Sequence, residues 1–149
     1  MKVKALDHIA ITVSDTQRAL EFYVGQLGLK QVEQHQLEGD KCDLASGLQG
    51  SRAQSTRLMA HGTPNLLIDL LEYFEPPGET HITQMGNVGS CHFALTVEDL
   101  PAAVKELESK GVEFISGPVN FKLTEGSVSV CFCRDPDGNL VELVEEYEH

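Results

Sequence analysis

One unit occurs twice in this chain, and that duplication limits the available folds more than any other feature. His8-Ile-Ala-Ile-Thr-Val-Ser-Asp lies position for position on His92-Phe-Ala-Leu-Thr-Val-Glu-Asp. The match resumes where each unit closes: NLLIDLLEY from Asn65 answers NLVELVEEY from Asn139, so that Asp69-Leu-Leu-Glu72 falls on Glu142-Leu-Val-Glu145. Self-similarity of this kind constrains a whole architecture, and two copies are too few for a solenoid. The expectation is a pseudo-symmetric pair of modules closing on one shared interior. At 149 residues the chain is long enough for one sizeable core and short for two independent domains. We read a single domain over residues 1–149, made of a module at 1–73, a linker at 74–90 and a module at 91–149.

The order of elements follows from periodicity. In the first strand Ile9, Ile11 and Val13 point one way and His8, Ala10 and Thr12 the other. Ser14-Asp15 supplies an N-cap, and Ala19, Leu20, Phe22, Tyr23 and Leu27 recur at helical spacing until Gly28 stops the helix. A strand is expected near Leu29 to Glu33. The Gly-, Ser- and Gln-rich stretch within 39–62 has no counterpart later and reads as an insertion with a loop or short helix, followed by the strand-like STRLMAHG. Residues 65–73 close the module as a strand. In the second module Phe93, Leu95 and Val97 form the bulky face, and Asp99 caps a helix whose Leu100, Ala103, Val104 and Leu107 make its buried stripe. Strands are expected near Val112 to Ile115 and over Ser127 to Cys133. Asp135-Pro-Asp-Gly138 has the chemistry of a turn leading into a last strand, Leu140 to Glu146. The fold class is α+β, with the order βαβββ twice.

Alternation also decides which way the acids face. In the first module Leu66, Ile68 and Leu70 share one side and Leu67, Asp69 and Leu71 the other; in the second, Val141 and Leu143 oppose Leu140, Glu142 and Val144. Each strand has one face fit for packing and one face bearing a single His or acid among small or apolar neighbours. Related by the repeat, the four strands would converge His8, Asp69, His92 and Glu142 on one interior. A lone strand His is more often a satisfied core residue, but four such groups at equivalent positions are hard to explain structurally. Burying unpaired carboxylates is costly. A divalent cation removes that cost, and imidazole with carboxylate suits Zn, Ni, Co, Mn or Fe. Glu72 and Glu145 read as the outward acids, although a one-residue register shift would exchange Glu72 for Asp69 as the second ligand. His35, His61, His81 and His149 have no repeat partner and read as surface residues.

A formal net charge of -12 with no basic stretch argues against nucleic acid or an anionic membrane surface as a partner. No run approaches the roughly 18 apolar residues of a membrane span, and the N-terminal apolar run lacks a cleavage site. The expected location is the cytoplasm and the expected partner a small molecule. The four cysteines, Cys42, Cys91, Cys131 and Cys133, lack the density of a disulfide scaffold and read as small buried apolar residues. Cys131 and Cys133 share one strand face, which leaves a redox or metal role as an alternative.

These motifs resemble the vicinal oxygen chelate superfamily of glyoxalases, epimerases, extradiol dioxygenases and bleomycin resistance proteins. LDHIAITVSDTQRALEFYVGQLGL, IDLLEY, GSCHFALTVEDLPAAVKELESKGVEF and FCRDPDGNLVELVE carry the resemblance over nearly the whole chain. It implies a glyoxalase-like cupped mixed sheet with helices on its outer face. In the lyase and epimerase branches the ligand pattern is His, an acid or Gln, His and Glu, which falls here on His8, Asp69, His92 and Glu142. Asp69 departs from it by being one methylene short of Glu. The implied activity is that of a metal-dependent lyase or isomerase removing a proton alpha to a carbonyl, with Glu142 as base and Asp69 second. Glutathione-dependent members carry an Arg and an Asn where this chain has Thr12 and Tyr73, which argues against glutathione as the carrier. The competing classes are a binding protein that sequesters a small molecule without turnover, and a dioxygenase, which would need Fe(II). Family members often form homodimers, some with the site shared between chains.

Overall fold

Each half of the duplication builds its own four-stranded mixed sheet. The computed structural model describes residues 2–62 and 67–147, so Asn65 and Leu66 of the expected closing strand, and His149, lie outside the described residues. Two units make up the chain, Met1–Thr80 and His81–His149, with the division inside the segment read as a linker.

In the first unit, strands β1 (His8–Thr12), β2 (Lys30–Glu38), β3 (Arg52–Met59) and β4 (Leu67–Glu75) form a sheet in the order β1-β4-β3-β2. β1 runs parallel to β4, and the other pairs are antiparallel. The predicted alternation holds in β1, where Ile11 is buried and His8, Ala10 and Thr12 are exposed. Asp15 caps helix α1 (Thr16–Leu20), its side chain accepting from the Arg18 N–H at 2.9 Å. The helix widens into a π-helical stretch, Glu21–Gln26, that buries Phe22 and Tyr23, and Gly28 ends it at φ 76°. The insertion holds a short helix, α2 (Asp40–Ser46), that buries none of its residues. β2 runs well past the short strand expected from Leu29 to Glu33, because its pairing with β3 continues to Glu38.

The second unit repeats the plan with β5 (His92–Thr96), β6 (Val119–Lys122), β7 (Ser127–Arg134) and β8 (Leu140–Tyr147), in the order β5-β8-β7-β6. Asp99 caps helix α3 (Leu100–Ser109), which buries Leu100, Val104 and Leu107. With Val141, Leu143, Cys131 and Cys133 these form this unit's core. Asp135 closes the expected turn: its carbonyl accepts from Gly138 and its carboxylate from the N–H groups of Asp137 and Asn139. Arg134 Nη1 donates to the carbonyls of Thr83 and Gly138, tying the start of this unit to the same turn.

One strand sits elsewhere than the periodicity predicts. Phe114 makes only an isolated bridge to Cys133, and the edge strand is β6, whose four residues are all exposed. An edge strand with neither face buried has no alternation to read. The cysteine expectation also holds only in part. Cys131 and Cys133 are buried, whereas Cys91 is exposed and Cys42 part-exposed, because Cys91 precedes β5 and α2 buries none of its residues.

Candidate functional site

The strand ladders align the two modules residue by residue. Ala10 of β1 pairs with Asp69 of β4, and Ala94 of β5 pairs with Glu142 of β8. Asp69 and Glu142 are thus equivalent, each on the strand beside its module's leading His. A parallel neighbour places a side chain two residues along on the same face within reach, and each module brings its His and its acid together.

In the second module, His92 Nε2 lies 3.2 Å from Glu142 Oε2. The imidazole is about half-exposed and the carboxylate largely covered. Phe132 stands opposite Glu142 on β7, and its ring meets His92 edge to face at 5.1 Å, which fixes the imidazole plane.

The first module is built differently. His8 Nε2 is 3.9 Å from Asp69 Oδ2, and His8 Nδ1 bonds Asp7 Oδ2 at 2.8 Å. With Nδ1 turned to that carboxylate, Nε2 is the ring nitrogen that faces Asp69. The same bond holds the Asp7 carboxyl below its usual range. Asp69 is 5% exposed, yet its charge is balanced: Arg57, directly opposite on β3, donates Nε to Oδ1 at 2.7 Å and Nη2 to Oδ2 at 2.9 Å. The remaining guanidinium nitrogen, Nη1, donates to Glu33 at 3.0 Å. Glu33 faces Arg57 because the register of β2 shifts between Gln31 and Glu33, a bulge that sets Val32 aside. Bonding to Asp69 above all holds the Arg57 guanidinium more firmly protonated than usual.

Two donors on one ion, each about 2.1 Å from it at tetrahedral or octahedral angles, stand about 3.0–3.4 Å apart. The His92–Glu142 separation fits that span. His8 presents an oriented nitrogen, but its separation from Asp69 is wider, and both Asp69 oxygens are taken by Arg57. The second half-site therefore suits a divalent cation as it stands, and the first suits one through His8. Among the described residues, potential ligands come together in these pairs and in no group of three or more.

The outward acids have a different task in both modules. Glu72 Oε2 accepts from the Thr16 N–H at 2.9 Å and the Thr16 hydroxyl at 2.5 Å, and Glu145 Oε2 accepts from the Leu100 N–H at 2.8 Å. Each ties the first turn of its module's helix to the closing strand. His35 bonds Glu33 at 3.1 Å, and with His61 and His81 it is exposed as expected. Cys131 and Cys133 pair with Leu143 and Val141, on the sheet face away from Glu142. Burial pushes their thiols up to about 11 and about 12, which removes them as nucleophiles at neutral pH. Sequence reasoning missed Arg57, Glu33, Asp7 and Phe132. The available signal for Arg57 was its place in STRLMAHG, the strand-like stretch that precedes the strand carrying Asp69.

The chain belongs to the Glyoxalase/Bleomycin resistance protein/Dioxygenase superfamily, whose family profile matches residues 5–143. It is 31% identical over 147 residues to the uncharacterized protein YwkD of Bacillus subtilis, covering 98% of this chain and 100% of that protein. It is 28% identical over 154 residues to a lactoylglutathione lyase of Schizosaccharomyces pombe, covering 99% of this chain but only 49% of that protein, so it spans about half of the fission-yeast enzyme's length. A glyoxalase family protein from Bacillus cereus shares the fold at a TM-score of 0.86 and 22% identity, over 99% of this chain and 97% of that one.

Proposed function

We propose that this protein is a metal-dependent, glyoxalase-like lyase or isomerase that removes a proton alpha to a carbonyl on a small substrate with vicinal oxygens. The observation that carries this reading is the paired construction of the half-sites, above all the 3.2 Å approach of His92 to Glu142. His8, His92 and Glu142 would hold the ion, and Asp69 would join them by exchanging Arg57 for it. When bound, such an ion supplies Lewis-acid polarisation of substrate oxygens.

The chain's own residues supply the rest. Glu142 is a covered carboxylate whose neighbours are a His and a Phe ring, with Phe132 opposite it on β7, and it is assigned the role of base. Asp69, both of whose oxygens are held by Arg57, ranks second. Asp7 orients His8, and Phe132 orients His92. The likeness to a protein named lactoylglutathione lyase supports the reaction class. Thr12 and Tyr73 at the positions of the glutathione-contacting residues favour a different carrier or none.

A second reading, sequestration of a small molecule without turnover, gains support from Arg57, which gives Asp69 its counter-charge without an ion. The deciding experiment is elemental analysis of the purified chain beside His92→Ala, with substrate-proton exchange into deuterium oxide measured on both. The lyase reading expects about one first-row ion per chain, lost with exchange in His92→Ala. Equal metal content in both proteins would remove His92 as a ligand, and tight metal-independent binding without exchange would favour sequestration.

A further inference from the structure

We propose that Arg57 tunes metal affinity: it is the built-in counter-cation of Asp69, and a divalent ion gains that carboxylate only by displacing it. The proposal rests on the metal reading above and accounts for the difference between the two half-sites.

The clamp is bidentate, with both Asp69 oxygens accepting from one guanidinium at 2.7 and 2.9 Å. Only the planar fork of Arg makes that contact. Arg57 is also anchored from behind, since Nη1 reaches Glu33 at 3.0 Å across the register shift in β2. Leaving Asp69 therefore means releasing the guanidinium from a three-residue array.

The second module is the internal control. At the ladder position of Arg57, opposite the equivalent acid, it has Phe132. A phenyl ring brings no counter-charge to Glu142, whose close polar neighbour is His92 at 3.2 Å. Of the two equivalent carboxylates, Asp69 already has a bidentate counter-cation and Glu142 faces a phenyl ring in its place. Binding Asp69 exchanges one charge-assisted contact for another and contributes little to affinity, whereas binding Glu142 gains a whole carboxylate.

The test is Co²⁺ titration of the metal-stripped full chain, followed by calorimetry and by the visible absorption of bound cobalt. Arg57→Met should bind Co²⁺ about tenfold or more tightly than the unaltered chain, within the range by which groups around metal ligands tune affinity. Adding Asp69→Asn to that variant should abolish the gain. In the unaltered background Asp69→Asn should weaken binding by less than about threefold, against about 10- to 100-fold for Glu142→Gln. Phe132 shows that an apolar side chain is compatible with this ladder position, and circular dichroism would check the fold of Arg57→Met. Should that variant not fold, Arg57→Lys and the Asp69→Asn against Glu142→Gln comparison still decide.

Arg57→Met binding no more tightly than the unaltered chain, or Asp69→Asn proving as damaging as Glu142→Gln, would overturn the proposal. Cobalt taken up only after Arg57 is removed would uphold it while sinking the metal reading for the natural chain. Cobalt taken up by neither protein would sink both.

Discussion

Arg57 faces Asp69 across the β3–β4 ladder, and both carboxylate oxygens accept its N–H groups. A buried acid that has lost the cation bonded to both its oxygens is strongly destabilising, and the cost is about 3 kcal/mol. Arg57→Met should lower the urea stability of the metal-free chain by about that amount. Asp69→Asn leaves Arg57 with Glu33 and should cost about 1 kcal/mol. Changing both residues together should recover most of the loss; a double variant as unstable as the sum of the singles would show that the pair is not coupled.

A second prediction concerns Glu72 and Glu145, which hold the first turns of α1 and α3 from equivalent positions. Each satisfies a helix N–H that has no partner within its own helix, and each sets a negative charge at the positive end of the helix dipole. Glu72→Ala and Glu145→Ala should each cost about 1–2 kcal/mol, Glu72 the more because it also accepts from the Thr16 hydroxyl. Metal content should be untouched in both variants. Loss of the ion from Glu72→Ala would reinstate Glu72 as the ligand in place of Asp69.

The faces of the strands were legible because burial on one side leaves alternation in the sequence. Ile11 buried beside exposed His8 and Ala10 follows from that signal, and the equivalence of Asp69 and Glu142 follows from the repeat. Arg57 was not legible as Asp69's partner. Opposition across a hairpin depends on register, and a shift in the pairing changes which residue of β3 faces Asp69. Glu33 was further hidden, since without the register shift at Val32 the ladder would bring a different residue opposite Arg57. β6 left no pattern at all, being exposed on both faces.

Gly126 gives a third prediction, at the turn between β6 and β7. Its φ is 84°, and a Cβ built there would lie 2.5 Å from the Tyr147 carbonyl oxygen. Main chain cannot yield as a flexible side chain would. Gly126→Ala should cost about 2–4 kcal/mol, the left-handed conformation and the overlap acting together. Gly47, at φ 74° with nothing near its missing Cβ, is the matched control; Gly47→Ala should cost about 1 kcal/mol. Equal thermal shifts for the two variants would mean that the β6–β7 turn moves away from Tyr147 at no cost.

The last prediction joins thiol reactivity to the pH dependence of stability. Burial, reinforced at Cys131 by the nearby Glu142 charge, raises the Cys131 thiol to about 11, and burial raises Cys133 to about 12, from an ordinary value of 9.0. In the unfolded chain both thiols lose their protons first, so above the ordinary thiol value the unfolded state binds fewer protons than the native one. Their contribution to stability is therefore fully present below pH 9.0 and falls as pH rises through the folded values. At pH 8 a thiol reagent should label exposed Cys91 quickly, Cys42 more slowly, and Cys131 and Cys133 only once denaturant opens the sheet. Replacing both buried cysteines with Ala should flatten the alkaline fall in stability while lowering stability at neutral pH by about 1–3 kcal/mol through lost packing. Prompt labelling of either buried thiol in the folded chain would contradict their placement on the packed side of β7 and reopen a redox role for the pair.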